Sequence, residues 1–471
     1  MGQRKKKTSL ITLKGMNDIK RHPASFRDPS GYIFTYKEKI YRQVNQVYAD
    51  NLALLHSSGL YDLLAKQKKI LTHTELAENL TGDLQWHKTL LPEQLDFISY
   101  PYEWCFSQWK DAALLTLNLV KTSIAHGMIL KDATPFNIQF VQGAPVLIDS
   151  LSFEKYDASK PWIAYRQFIE CFIGPLLLAK YNTPDLLRIF QLYPQGLPLP
   201  VVISMLPFKS RLSFNMLLHI YLPAAVSGNK KNTLKKDAGF TKQKLLNIIN
   251  SLQSFVQSIK LPASRTSWNN YYEETVLSDE YVKEKMIIVK DWVINETVNT
   301  VLDLGANTGL FAEMTAAAGK FTIAVDADIA CIDKLYNTCR QKKITNLLPL
   351  YADISNPAPA VGWDNKERTS FNVRAHADIT LALALIHHLA IGKNISFEQV
   401  AELFSSYSPF LIIEFVPKND PKVQLLLQER EDIFGNYNEA SFLEAFEKKF
   451  TVLKKSVVPG TERVIFLMKS N

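Results

Sequence analysis

Residues 301–310 read VLDLGANTGL, and the reading of this stretch decides the fold. Apolar, β-prone residues and one acid run into a short loop with glycines at 305 and 309. Residues 310–319, LFAEMTAAAG, then have helical composition. A strand, a glycine turn and a helix in so few residues present backbone N–H groups at a helix N-terminus, where an anionic or polar ligand can sit. A dinucleotide, a phosphate and an adenosyl cofactor all remain open on this stretch alone. The loop lacks the third glycine of GxGxxG and the Lys-Ser/Thr of a phosphate-binding P-loop, which weakens the first two.

Downstream residues narrow the choice. Strand-like runs follow at 321–328 (FTIAVDAD), 346–354 (NLLPLYADI), 377–389 (ADITLALALIHHL) and 409–417 (PFLIIEFVP), alternating with helical patterns. Such alternation predicts a mostly parallel sheet covered by helices. Asp326 ends the second run, 21 residues after Gly305, where an acid can accept hydrogen bonds from both hydroxyls of a ribose. Asp353 ends the third. His387 and His388 close the fourth run, and Glu414 lies in the fifth. A hairpin, FTVLKKSVV then Pro459-Gly460 then ERVIFLMK, closes the chain.

This ordered set resembles the class I S-adenosylmethionine-dependent methyltransferases over about residues 270–471. The resemblance implies a Rossmann-like seven-stranded α/β sheet whose last strand is antiparallel, with S-adenosyl-L-methionine as cofactor. It assigns Asp303, Gly305, Asn307 and Gly309 to the first motif, Asp326 to the ribose and Asp353 to the adenine side. Asn307 stands where a glycine is common, and Asn accepts left-handed backbone angles better than most residues. His387 and His388 are the candidates to deprotonate or line the acceptor, since imidazole titrates near working pH; Glu414 is a candidate polar lining residue. Trp268, Tyr271 and Tyr272 are candidates to close over the cofactor.

The first half poses a separate question. A turn at 28–31 leads to a hairpin over 32–44, helices follow over about 45–70 and 109–125, and residues 160–260 are mainly helical, with breakers at 194–207 and 227–236. Between them, HGMILKDATPFNIQFVQGAPVLIDS (126–150) places Asp132 five residues before Asn137 and Asp149 twelve residues after it. An Asp near an acceptor hydroxyl, an Asn on a metal and a second metal-binding Asp are what phosphoryl transfer uses. The spacing looks like the catalytic and metal-binding loops of kinase-like and aminoglycoside-phosphotransferase-like folds. The departures are concrete: no glycine-rich loop, no V-A-I-K lysine beyond Lys39 or Arg42 as stand-ins, and Asp149-Ser150-Leu151 in place of Asp-Phe-Gly. The organisation expected is therefore a disordered basic tail over 1–25, an α+β, mainly helical, kinase-like domain over 26–262, and a methyltransferase domain over 263–471.

Composition bounds the rest. Of 471 residues, 47% are hydrophobic and 21% charged, as in a globular protein, and 54 Lys+Arg against 46 Asp+Glu is a mild excess. The basic runs at 4–7 and 230–236 carry no interleaved aromatics, so a nucleic-acid groove is not expected. The four cysteines lie without Cys/His metal spacing, and no metal site is expected. Without a signal peptide or a long apolar run the chain is expected to be cytoplasmic, with no membrane partner. The acceptor is expected to be a small molecule, glycan or protein rather than nucleic acid; its identity and the oligomeric state are not encoded in any motif. Two rival functions follow from the same residues, a bifunctional phosphotransferase/methyltransferase and a non-catalytic cofactor-binding scaffold.

Overall fold

A computed structural model describes residues 19–227, 241–262, 279–428 and 431–471. The 230–236 basic run, the 4–7 run, Trp268, Tyr271 and Tyr272 lie outside these described residues. The first half carries an antiparallel sheet in the order β1-β2-β3-β5-β4, formed by Lys20–Arg21, Gly31–Tyr36, Lys39–Asn45, His73–Leu76 and Trp86–Pro92 in chain order. Lys20–Arg21, within the stretch expected as a disordered tail, pair with Phe34 and Thr35 of β2 as a short edge strand. Two helices, Ala49–Ser57 and Leu60–Lys66, lie between β3 and β4.

The helix Phe106–Ala125 follows; its apolar side chains recur at helical spacing and Trp109, Ala112, Leu117 and Val120 are fully buried. Four short strands come next, β6 (Met128–Leu130), β7 (Ile138–Val141), β8 (Ala144–Leu147) and β9 (Phe153–Lys155), pairing as β6 with β9 and β7 with β8. Three of these strands, β6 to β8, lie within the 126–150 segment. Short helical segments then occupy 165–227, and the helix Lys242–Ser258 packs on Phe106–Ala125.

The second half is built on seven strands: β10 (Thr300–Leu304), β11 (Phe321–Asp326), β12 (Leu347–Tyr351), β13 (Ile379–Ala382), β14 (Phe410–Phe415), β15 (Phe450–Val457) and β16 (Val464–Ser470). Their order is β12-β11-β10-β13-β14-β16-β15, parallel from β12 to β14, with β16 antiparallel to both neighbours. The central strands are buried along their length, as sheets covered on both faces require. The order reverses at β10, so the loops after β10 and β13 diverge and leave a crevice at the carboxyl ends of the strands. The run 377–389 is not one long strand: Ala384 takes φ +52°, the chain turns, and Ile386–Ala390 is a short helix.

One apolar core spans both halves, from Leu55 through Trp109 and Phe190 to Tyr336, Leu350 and Phe466. Polar contacts seal the same junction. Ser107 N–H and Oγ donate to Asp333 at 2.7 and 3.1 Å, and the Tyr336 hydroxyl donates to Asp111 at 2.8 Å. Arg27 makes two hydrogen bonds to Glu367, at 2.8 and 2.5 Å. No helix among the described residues is long and apolar enough to cross a membrane.

Candidate functional site

The crevice at the ends of β10 to β13 encloses a cavity of about 790 Å³, within the roughly 300–1,000 Å³ usual for ligand sites. Gly305 leaves β10 at φ +72°, and Asn307 follows at φ +51°, the left-handed geometry its short polar side chain tolerates. The loop is pinned to β11: Gly305 N–H and Ala306 N–H donate to Val325 O at 2.9 and 3.0 Å. Asn307 N–H donates to Asp326 Oδ2 at 2.7 Å and Asp328 N–H to Asp326 Oδ1 at 2.7 Å. Asp328 caps the helix Ile329–Lys342 by accepting from Ala330 N–H at 2.8 Å. Two backbone donors therefore orient Asp326, which lines the cavity.

Of the six cofactor residues expected, Gly305, Asn307, Asp326 and Asp353 line the cavity together. Asp303 and Gly309 stand behind it. Asp303 is buried under the loop, and its Oδ2 has no hydrogen-bond partner among the described residues. Gly309 opens the helix Leu310–Ala317 at φ +88°, and a Cβ there would lie 2.2 Å from Leu335, so this glycine serves helix-to-helix packing. Burial drives the Asp326 carboxyl up to about 6 against the pull of its backbone donors. Burial, then the Asp326 charge, drives Asp303 up to about 7. Asp353 Oδ1 accepts from Ser355 N–H at 2.8 Å and Ser355 Oγ at 2.6 Å, which turns the carboxyl along the cavity wall.

The histidine pair separates. Successive residues of a helix point about 100° apart, so only one ring of His387-His388 can face the crevice. His388 lines it, held down to about 4 by burial and by Lys422 and Arg463. His387 is fully buried, does not line the cavity, and neither ring nitrogen has a hydrogen-bond partner among the described residues. As a catalytic base His387 is corrected to a core residue, kept neutral first by burial. Glu414 also leaves the list of lining residues. It is fully buried beneath the cavity, paired with Lys285 and accepting from Tyr281 Oη at 2.5 Å, while Arg463 bridges it to Asp420 at 2.7 Å. Burial works against ionisation, yet Lys285 and Arg463 hold Glu414 below the ordinary carboxylate range. Tyr281, Lys285 and Arg463 form the floor of the cavity above it.

The first half supplies a wall that no motif announced. Phe106, Thr183, Pro184 and Asp185 line the same cavity, and Tyr351 Oη donates to Asp185 at 2.8 Å. The signal was absent because these residues lie more than a hundred positions upstream of the glycine turn.

A second cavity, of about 450 Å³, gathers Asp132, Asn137 and Asp149. Asn137 Nδ2 donates to Asp132 at 3.1 Å and to Ser152 Oγ at 3.2 Å, and Ser152 Oγ donates to Asp149 at 2.8 Å. Gln167 Nε2 donates to Asp132 at 2.6 Å, and Arg42 from β3 is ion-paired to Asp149 at 2.6 Å. Burial and then the Asp149 charge raise Asp132 above the usual carboxylate range. The loop after β12 reaches this cavity too, through Val361, Gly362, Glu367 and Arg368.

No protein-family model matches the chain. The nodulation protein NoeA of Rhizobium meliloti (strain 1021) is 32% identical over 456 residues, covering 95% of each chain. Among solved structures, the magnesium protoporphyrin IX methyltransferase of Synechocystis PCC 6803 aligns over 43% of this chain and 93% of its own, at 13% identity and a TM-score of 0.31. The N-methyltransferase NodS of Bradyrhizobium japonicum WM9 aligns over 41% and 98%, at 12% identity and 0.30. The bifunctional kinase-methyltransferase WbdD aligns over 44% and 46%, at 13% identity and 0.30.

Proposed function

The chain belongs to the family of the nodulation protein NoeA, and within that family we propose that it is an S-adenosyl-L-methionine-dependent methyltransferase. The observation that carries this reading is the convergence of Gly305, Asn307, Asp326 and Asp353 on one crevice at the switch point of the sheet. The donor set fits the cofactor chemically. Asp185, Asp326, Asp328, Asp333 and Asp353 line the cavity, and such a wall favours a ligand that is cationic and rich in hydroxyl and amino donors. Asp326 accepts from the ribose hydroxyls and Asp353 faces the adenine side, while the Gly305–Asn307 turn lets the backbone approach closely. The bound cofactor supplies a methyl group that is already electrophilic, so the protein's task is alignment of a nucleophile. His388, neutral at physiological pH, lines the acceptor side. Thr183 and Asp185 exclude water from the open side.

The test is calorimetric titration of S-adenosylmethionine into the full chain and into Asp326→Ala. Unchanged binding in the variant removes the assignment. Tight binding with no transfer across a screen of small molecules, glycans and proteins favours the scaffold reading.

A second reading, a bifunctional phosphotransferase/methyltransferase, is favoured by one observation: Asp132, Asn137 and Asp149 meet in a cavity of their own. The Arg42–Asp149 pair stands against it, because a guanidinium occupies the carboxylate that would hold a metal. Binding of magnesium-ATP that is lost in Asp149→Ala supports this reading, and the absence of nucleotide binding removes it.

A further inference from the structure

Outside both cavities, three side chains with metal-binding chemistry meet at the edge of the first sheet. His56 sits in the last turn of the helix Ala49–Ser57. His73 and Glu75 lie two apart on β4, and the period of a strand puts them on one face. The ligand atoms of all three lie within 4.8 Å of one another. The two imidazole rings meet nearly edge to face, 6.2 Å apart at 87°. The Nε2 atom of His73 is buried and makes no hydrogen bond among the described residues, while Glu75 Oε1 lies beside that of His56. An orphaned buried nitrogen is costly unless something else takes its lone pair.

The surroundings complete the argument. Tyr61 Oη lies 3.2 Å from His73 Nδ1 and accepts the His73 backbone N–H at 2.9 Å. With Nδ1–H donated to that oxygen, the lone pair of His73 falls on Nε2, the nitrogen left without a hydrogen bond among the described residues. A metal-bound histidine is held in the same manner, its second nitrogen donating to an oxygen that fixes tautomer and ring. Glu75 divides its two oxygens: Oε1 lies 3.1 Å from His56 Nε2, and Oε2 lies 3.3 Å from Lys88 Nζ. The lysine thus neutralises the oxygen that faces away and leaves the other for a shared ion.

We propose that His56, His73 and Glu75 form a binding site for a divalent transition-metal ion of the zinc class. Two imidazoles and one carboxylate suit that class, with a fourth position open to water. Donors on one tetrahedral zinc lie about 3.4 Å apart, and His56 and Glu75 have the freedom to close up, since their side chains are 34% and 36% exposed. The ion ties the first helix to β4, an edge strand of its sheet. His73 also belongs to the wall of the second cavity, so the ion stands beside that cavity without lying in it. No cysteine takes part in this site. His73 comes 17 positions after His56, and the turn of the chain between them brings them together.

The experiment uses tag-free full-length protein stripped with a chelator and titrated with zinc chloride by calorimetry. One equivalent should bind and raise the melting temperature. His56→Gln and Glu75→Gln change partly exposed positions and should keep the fold, as circular dichroism of the stripped proteins verifies. Each should weaken zinc binding by about tenfold or more and abolish the melting shift. Lys88→Ala should tighten binding, because it removes a competing cation from Glu75. Cobalt(II) in place of zinc should give the visible absorption of a tetrahedral site in wild type and lose it in His56→Gln. No stoichiometric binding overturns the proposal, and so does binding that both variants leave unchanged.

Discussion

Each cavity has an aspartate centre, Asp326 in one and Asp132 with Asp149 in the other, and these differ in how far side chains hold them. In the crevice of the second half, Asp326 is oriented by the backbone N–H groups of Asn307 and Asp328. In the cavity of the first half each acid has one backbone donor, Thr134 N–H for Asp132 and Leu151 N–H for Asp149, and side chains take the rest: Asn137 and Gln167 at Asp132, Ser152 and Arg42 at Asp149. A carboxylate fixed by backbone keeps its direction when a ligand arrives and has lone pairs to spare. One satisfied by side chains has to release them first. The first arrangement is preorganised for a ligand; the second is closed on itself.

Five experiments would break or sharpen this contrast. The largest effect is expected below the crevice: Glu414→Ala leaves Lys285 and Arg463 buried and under-compensated and should destabilise the protein by about 3–5 kcal/mol in urea unfolding. A loss under about 1 kcal/mol would mean that the floor is not a rigid support. Next, Asp326→Ala removes charge-assisted acceptors and should weaken S-adenosylmethionine binding by about 100-fold in calorimetry. Equal weakening by Asp132→Ala would erase the distinction between the cavities.

Acidity provides the third. Asp326 titrates near 6 and Asp303 near 7, both above their unfolded values. The folded chain then binds more protons than the unfolded one between about pH 4 and 7, so these two groups reduce stability as pH rises through that window. Ligand binding runs the other way, since it needs ionised Asp326: the dissociation constant should fall about tenfold from pH 5 to pH 7. A flat profile would show that the ribose-binding acid is elsewhere. The smallest effects separate the two sites. Arg42→Ala releases Asp149 and should raise affinity for magnesium ion alone by about threefold; His388→Ala should leave cofactor affinity within about twofold. Loss of cofactor binding in His388→Ala would turn the lining imidazole into a cofactor ligand.

The glycine turn, the acid of β11 and the sheet around them were legible because each is local: strand, turn and helix signals lie within a few residues, and the spacing from Gly305 to Asp326 fixes their relation. The fourth strand was overread because Ala384 adopts a left-handed backbone that alanine composition does not announce. The error carried through to His387, which a strand would have aimed at the crevice and the helix Ile386–Ala390 aims into the core. Asp132, Asn137 and Asp149 were found from spacing alone, but Arg42 as the partner of Asp149 depends on the register of β3 in a sheet, which no local pattern gives. The wall from Thr183 to Asp185 and the His56, His73 and Glu75 cluster depend on tertiary return of the chain, and they leave no trace in spacing.

That wall has a consequence for how such a protein can be inherited. A recombination that moved the C-terminal half onto another partner would leave the acceptor of the Tyr351 hydroxyl behind, expose Tyr336, and open the crevice on one side to bulk solvent. The two halves are therefore bound to change together, because part of the wall of the second half's crevice is written in the codons of the first.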